Sequence, residues 1–406
     1  MNINAARFVT ATAVSAALSL AFAASASADT VPTYNIVDLG IPSPNTLSRS
    51  SGISDSGEYV VGQGAGGGAG IGNNAYLWQT GLGQSTLTPS ARNNWALGVN
   101  DSGAAVGITS ATAQAASDGS YLNSAPVLWK NGTATLLAAE GRAYAINNAG
   151  IAVGSSGTVD SATQRAVIYD TNAGTTSTIT ATSAAGGTMK SALDINSSGL
   201  IIGTGTQASD AGNIAVTLAY NSVTGTMSTI AAAQGTSGVT VTDVNNNGMV
   251  VGYYGDTSVP GTLKPYAWSE STGLLDVALP SGMVSGVVTG INDQGWIVGY
   301  ARNGKDASNY AFVDIAGTSY LLSDLVKDLT GWDLAKPGVG ALQIAGIAND
   351  GTIIGSTKYN DGTTNATHSF ALQVTAVPEP SSYALLLAGI AAGGFVARRR
   401  KAANKA

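Results

Sequence analysis

The sequence VNNNGMVVG at residues 244–252 is one of seven copies of a single short pattern. Each copy has an apolar residue, an Asn or small residue, a short polar stretch, a Gly, and aliphatic residues that end in a second Gly. The copies lie at 53–62 (ISDSGEYVVG), 99–107 (VNDSGAAVG), 146–154 (INNAGIAVG), 195–203 (INSSGLIIG), 244–252, 291–299 (INDQGWIVG) and 347–355 (IANDGTIIG). Their spacing is about 46 to 49 residues with one longer last step, and such a fixed period indicates a propeller, a solenoid or an array.

The pattern predicts a β-hairpin. An Asn side chain at the start of a turn can hydrogen-bond its own backbone, and the Gly three residues later can adopt a positive φ, as in a type I turn with a glycine bulge. The β-branched pairs that follow the turn, such as Val250 and Val251, suit a buried strand. A calcium loop at 243–248 (DVNNNG) is the weaker alternative, because the closing Glu is missing and the copies differ at the ligand positions.

Each repeat extends to about four strands. After the hairpin comes a strand that usually ends in an aromatic residue, as in 75–78 (AYLW), 126–129 (PVLW) and 266–268 (YAW). A polar turn and another short strand follow, for example at 135–137 and 274–279. Four strands in a meander are typical of a propeller blade.

The ends of the repeat region predict how the array closes. Repeat seven has no fourth strand, whereas residues 34–40 (YNIVDLG), ahead of repeat one, are similar to the fourth strand at 274–277 (LLDV). A linear solenoid would need polar caps, and none is evident. We therefore expect an all-β, seven-bladed β-propeller of four-stranded repeats closed by the N-terminal strand. An open β-solenoid or a sandwich array is the alternative.

One segment breaks the repeat between blades six and seven. Residues 321–329 have apolar side chains at 321, 322, 325, 326 and 329, which suits one face of a short helix. We expect a short helical or irregular insertion there, packed on the rim with Trp332.

Composition limits the possible functions. Only 10% of the 406 residues are charged, and there is no Cys, which excludes a disulfide framework and zinc–sulfur sites. Residues 29–380 keep all 24 acidic residues but only 12 of the 18 basic ones, a net charge of −12. An acidic body argues against nucleic acid and anionic membrane surfaces as partners.

The N-terminus has the features of a secretory signal peptide at 1–28. Arg7 precedes an apolar stretch, and Ala26-Ser27-Ala28 forms a small-residue cleavage site between Ala28 and Asp29. A membrane-spanning anchor fits less well, because the stretch is short and ends in that cleavage pattern. We expect the propeller to occupy 29–376.

The C-terminus has three elements in order. They are Pro378-Glu379-Pro380, an apolar run at about 381–397, and the basic cluster Arg398, Arg399 and Arg400. This arrangement, at 377–402, resembles the PEP-CTERM sorting signal of Gram-negative bacteria, which membrane proteases called exosortases process. The resemblance implies an exported, surface-sorted protein with a transient transmembrane helix. A plain single-pass anchor is the alternative.

The repeats resemble the HAF-repeat family of extracellular bacterial proteins. The residues that carry this resemblance are 310–312 (YAF), 368–370 (HSF), the Asn-containing hairpins and 38–40 (DLG), over about 33–374. Most copies lack the family's His, and the first hairpin has one extra residue. The resemblance implies an extracellular β-repeat protein and no catalytic residues.

The sequence offers little support for catalysis. The only histidine, His368, lies at a repeat position at the start of a strand, which favours a structural hydrogen bond over a catalytic base. No serine lies in a G-x-S-x-G elbow, so no triad can be assembled. Acids such as Asp55, Asp101 and Asp293 recur at one turn position and are expected to scatter around the ring. We predict no catalytic, cofactor or metal site.

These features together predict a non-enzymatic exported protein of the cell surface or extracellular matrix. Its partners are expected to be an exosortase, the export machinery and an exopolysaccharide or envelope glycan. The HAF resemblance adds a link to biofilm-forming bacteria. The competing class is a propeller hydrolase or lyase that acts on extracellular polysaccharide.

Overall fold

A computed structural model describes residues 31–375, except 67–71, 88–90, 112–123, 158–162, 211, 231–237, 257–258, 260, 306–307 and 335–341. The predicted signal peptide, with its predicted cleavage site at Ala28 and Asp29, lies outside the described residues, and so do the predicted C-terminal sorting signal and its transmembrane segment. Within the described residues, no helix combines the length and the hydropathy needed to cross a bilayer.

The described residues from Pro32 to Thr375 form one compact unit built from seven antiparallel sheets of four strands each. The first strand, β1, spans Tyr34–Gly40. Blades 1 to 3 follow as β2 (Leu47–Ile53), β3 (Tyr59–Ala65), β4 (Asn74–Gln79) and β5 (Gly83–Thr86); β6 (Asn93–Val99), β7 (Ala105–Ser110), β8 (Ala125–Lys130) and β9 (Thr133–Leu136); and β10 (Gly141–Ile146), β11 (Ile151–Ser156), β12 (Arg165–Asp170) and β13 (Thr175–Thr178). Blades 4 and 5 are β14 (Thr188–Ile195), β15 (Leu200–Ser209), β16 (Gly212–Asn221) and β17 (Thr226–Thr229), then β18 (Thr240–Val244), β19 (Val250–Tyr254), β20 (Lys264–Ser269) and β21 (Gly273–Asp276). Blade 6 is β22 (Ser285–Ile291), β23 (Ile297–Arg302), β24 (Tyr310–Ile315) and β25 (Thr318–Leu321), and blade 7 contains β26 (Gln343–Ile347), β27 (Ile353–Asn360) and β28 (Asn365–Val374).

The N-terminal strand closes the ring, as the sequence predicts. β1 is the outermost strand of blade 7, in the order β26-β27-β28-β1, and it pairs antiparallel with β28 from Tyr34↔Val374 to Asp38↔Phe370. Side chains add to this pairing, since His368 Nδ1 lies 3.0 Å from Asp38 Oδ2. The seven-bladed propeller is therefore confirmed, and its two ends meet in one blade.

The insertion between blades 6 and 7 is mostly irregular. Its helix, α1 (Leu322–Leu325), makes a single turn and begins directly after β25, which ends at Leu321. Leu322 and Val326 are buried, and Val326 forms an isolated parallel bridge with Tyr34. The apolar residues of the insertion therefore pack onto the closing strand.

Apolar side chains fill each interface between neighbouring blades. Among the described residues, seven buried clusters form, one at each interface around the ring. The cluster between blades 7 and 1 contains Leu39, Ile354 and Ala371 together with Tyr76 and Trp78. Since no blade can bury both of its faces alone, the stability of each blade depends on its neighbours.

The two glycines of the repeat have different roles. Gly295, in a hairpin turn, has a φ of 79° and open space around it, so the backbone conformation alone requires glycine. Gly252, at the end of the pattern, has no room for a Cβ, because the Thr240 carbonyl oxygen and the Tyr266 ring lie against it. The second glycine thus lets strands one and two approach under the aromatic residue of strand three.

We expect Leu39→Ala to destabilise the protein by about 2 to 5 kcal/mol, because Leu39 is 2% exposed and fills the interface between blades 7 and 1. Asn35→Ala, on an exposed position of the same strand, is the control and should change stability by less than about 0.5 kcal/mol. Reversible denaturant unfolding would measure both. Equal stability of Leu39→Ala and the parent protein would contradict closure by β1.

Candidate functional site

The first strands of the seven blades surround an axial channel. The strands β2, β6, β10, β14, β18, β22 and β26 lie side by side in a closed ring, and β26 adjoins β2. They enclose a cavity of about 230 Å³. Residues at the same repeat positions of every blade line it, including Ser51, Leu97 and Tyr144 at one level and Ile53 and Ile146 at another. The site is therefore formed by all seven repeats.

The Asn of the repeat links neighbouring blades around one end of the channel. Its Nδ2 donates to the main-chain carbonyl of the equivalent residue in the next blade at 2.9 to 3.1 Å. The five donors are Asn100, Asn147, Asn196, Asn245 and Asn292. Their Oδ1 atoms accept backbone N–H groups of their own hairpins, as Asn100 Oδ1 does from Ala104 at 3.1 Å. One side chain therefore stabilises both the turn and the ring.

The next position of the repeat, which follows the asparagine or its replacements Ser54 and Ala348, contributes a second polar ring at the channel mouth. We call it the mouth belt, and its members are Asp55, Asp101, Asn148, Asn246, Asp293 and Asn349. The Asn148 amide donates to Asp101 Oδ2 at 2.7 Å and lies 3.5 Å from Asp55 Oδ2. The Asn246 amide donates to Asp55 Oδ2 at 3.1 Å and to Asp293 Oδ2 at 3.0 Å. Carboxylates and amides thus alternate along the chain of contacts that crosses the mouth.

The convergence of Asp55, Asp101 and Asp293 corrects the expectation that these acids scatter around the ring. Asp55 belongs to blade 1, yet it reaches Asn246 of blade 5 across the axis. Burial raises the pKa of Asp55, the hydrogen bond from Asn246 lowers it, and the charges of Asp101 and Asp293 raise it further. The turn position points toward the axis, so acids that are about 46 residues apart or more in sequence meet at one mouth.

A carboxyl pair lies inside the channel, between blades 4 and 5. Asp194 on β14 and Asp243 on β18 hydrogen-bond each other through their side chains. Asp194 Oδ2 accepts the Val244 N–H at 3.1 Å, and Asp243 Oδ2 accepts the Ile291 N–H at 2.8 Å. Each carboxyl therefore also links its own strand to the first strand of the next blade.

The two carboxyl groups cannot both be charged at low cost. Burial and the neighbouring Asp194 carboxylate raise the pKa of Asp243 well above its usual range. Burial also raises the pKa of Asp194, whereas hydrogen bonds from Asp243 and from backbone N–H groups lower it. The pair therefore retains a proton at a pH where exposed carboxyls have lost theirs.

The residues that the sequence analysis singled out lie in different parts of the propeller. His368 lies on β28, the third strand of blade 7, away from the first strands that line the channel. Residues 243–248, weighed as a calcium loop, contribute Asp243 to the pair, Asn245 to the asparagine ring and Asn246 to the belt. Among the described residues, no group of three or more His, Cys, Asp or Glu side chains is arranged to hold a metal ion.

The carboxyl pair could have been found by aligning the repeats. Its position, two residues before the asparagine of the pattern, is Gly or Ala in the other five copies: Gly52, Gly98, Ala145, Gly290 and Gly346. Two adjacent copies with Asp in this position are therefore a signal in the sequence. The mutual contact of the two side chains cannot be read from the sequence, because it depends on the closed ring.

We expect Asp243→Asn to remove part of the pH dependence of stability. Because the folded state raises this pKa, it binds the shared proton more tightly than the unfolded chain does. That stabilisation is complete at acid pH, below the unfolded pKa, and is lost as the pH rises through the folded pKa. The variant should therefore gain stability relative to the parent as the pH rises.

Free energies of unfolding measured at a series of pH values would test this. Asp210→Asn, an exposed acid on blade 4, is the matched control and should not reproduce the change. Parallel stability curves for Asp243→Asn and the parent would contradict a shared proton in the channel.

These features define a seven-bladed β-propeller with a polar axial channel. Residues 77–215 match a family model described as a protein of unknown function (DUF3466), and residues 376–401 match the PEP-CTERM protein-sorting motif. The motif supports an exported, envelope-associated protein that the exosortase machinery recognises. The HAF-repeat resemblance is not shown by these matches and stays a prediction.

Solved structures are similar to this chain at low identity. An oligogalacturonate lyase in complex with manganese has a TM-score of 0.52 and 12% identity, with 84% of this chain and 93% of that chain covered. An acylaminoacyl peptidase from Pyrococcus horikoshii has a TM-score of 0.47 and 9% identity, with 82% and 53% covered, so this chain spans about half of the peptidase. A search of curated proteins found no match. Identities this low show the fold alone.

Proposed function

We propose that this protein is a non-enzymatic propeller of the cell surface or extracellular matrix that binds a glycan or another envelope component. The axial channel carries the proposal. It is lined by amide and carboxyl groups of all seven repeats, and such groups donate to and accept from sugar hydroxyls. The HAF-repeat resemblance, with its link to exopolysaccharide-producing bacteria, favours the same class of ligand.

The geometry of the carboxyl groups favours binding over hydrolysis. Glycosidases hold their two carboxyl groups about 5 to 5.5 Å apart or about 6.5 to 9.5 Å apart, which leaves room for the sugar or for a water molecule. Asp194 and Asp243 are in direct hydrogen-bonding contact and also accept backbone N–H groups. The pair joins neighbouring strands, which supports a structural role for both carboxyl groups.

A propeller hydrolase or lyase is the second candidate, because propeller folds include an oligogalacturonate lyase. Glycan-array screening of the exported protein, followed by analysis of the bound glycan, separates the two. We expect retention of one glycan class with the polymer intact. New reducing ends or unsaturated products would instead establish the enzyme, and a failure to bind any glycan would contradict the proposed function.

We also propose that an exosortase removes the C-terminal tail, so that the mature protein ends near 378–381. The apolar run is short for a permanent membrane anchor and is diluted by Gly389, Gly393 and Gly394. Pro378 and Pro380 favour an extended backbone, which suits a protease cleft.

Mass spectrometry of the envelope-associated protein tests this processing. In a host with the exosortase, we expect a mass that lacks the Arg398–Arg400 cluster. A matched host without the exosortase should retain the cluster. Surface-exposed protein that still ends at Ala406 would favour simple single-pass anchoring.

A further inference from the structure

The two ends of the axial channel differ in charge. The end where the hairpins lie carries Asp55, Asp101 and Asp293, with the Asp194–Asp243 pair just inside. The first strands run from the opposite end toward this mouth. In blade 1, Arg49 lies four residues before Ile53, the last residue of β2, which corresponds to about 13 Å at 3.3 Å per residue.

Basic and aromatic side chains occupy the opposite end on four consecutive blades. We call this set the basic arc: Arg49, Trp95, Arg142, Tyr144 and Lys190. Arg49, Trp95 and Arg142 hold the same position in blades 1 to 3, since each lies one pair before the strand-two glycine in the register. Lys190 is an unpaired bulge residue on the first strand of blade 4.

Contacts place Trp95 and Arg142 beside the channel lining, and Arg49 shares their register position. The Trp95 indole Nε1 donates to Ser51 Oγ at 3.0 Å, and Ser51 lines the channel. The Arg142 guanidinium contacts the hydroxyl oxygen of Tyr144, another lining residue, at 3.4 Å. Arg49 is exposed, and Trp95, Tyr144 and Lys190 are half-buried, so these four side chains are accessible to a ligand. Arg142 is only 1% exposed, and its part in the arc is to hold the Tyr144 hydroxyl.

From this arrangement we infer that the basic arc binds an acidic polysaccharide whose sugars carry carboxylates. Arginine and lysine supply charge-assisted hydrogen bonds to carboxylates, and an indole offers an apolar face for a sugar ring. The acidic mouth belt repels the same polymer, so the field along the axis directs an anionic chain to the arc. This inference rests on the proposed glycan binding and adds its ligand class and its location.

The test uses the exported protein with alginate, a polymer of uronic acids, and dextran as the neutral reference. We expect alginate to bind and its affinity to fall as salt increases, because the contacts are partly ionic. Arg49→Gln should weaken alginate binding about tenfold, the effect of losing one charge-assisted hydrogen bond. Lys130→Gln, an exposed base at the hairpin end of blade 2, is the matched control and should bind as the parent does.

Two further variants separate the arc from a general charge effect. Trp95→Ala should weaken alginate binding, whereas Trp95→Phe removes the bond to Ser51 but keeps an aromatic face and should retain most of it. Alginate binding that is unchanged in both Arg49→Gln and Trp95→Ala would overturn the inference. Equal binding of dextran would overturn the acidic ligand class but leave the proposed glycan binding standing. If alginate does not bind but another glycan class binds on the array, the inference about the basic arc is overturned and the proposed glycan binding stands.

Discussion

The hydrogen bond from an asparagine amide to the carbonyl of the next blade is the interaction on which the ring depends. It recurs at five of the seven interfaces, and each asparagine also accepts N–H groups of its own hairpin. A side chain with a donor and an acceptor on one short stem is needed for both bonds, and Asn meets that requirement. Local turn chemistry and ring geometry are therefore specified by the same residue.

The asparagine is missing at the two interfaces that blade 1 makes. Ser54 and Ala348 take its place, and other bonds hold these blades together. The Asn349 N–H donates to the Asp55 carbonyl at 2.8 Å, and Ser50 Oγ donates to the Gly355 carbonyl at 2.8 Å. Both of these bonds join blade 1 to blade 7, the blade in which β1 pairs with β28. Between blades 1 and 2, the Ser56 N–H donates to Asp101 Oδ1 at 2.8 Å.

The fold could be predicted from the sequence because its determinants are local and repeated. The hairpins follow from Asn and Gly at fixed offsets, and closure follows from a missing strand in one repeat and an extra one at 34–40. The insertion at 321–329 was less predictable, because its apolar spacing fits a helix face while the structure uses Leu322 and Val326 to cover β1. The contacts of the candidate site could not be predicted from local sequence patterns, because a contact such as that of Asp55 with Asn246 joins residues 191 positions apart.

The carboxyl pair shows how the ring accommodates a change at a tight position. At Gly52, a Cβ would meet the Leu97 carbonyl oxygen of the next first strand, so small residues there allow adjacent strands to touch. In blades 4 and 5 the Asp194 and Asp243 side chains occupy that gap, and each accepts an N–H from the neighbouring first strand. A direct approach of two backbones is replaced by a carboxyl bridge, which keeps the ring closed. The substitution makes one side of the channel acidic, so the ring architecture leaves the repeats free to differ in the groups they present to a ligand.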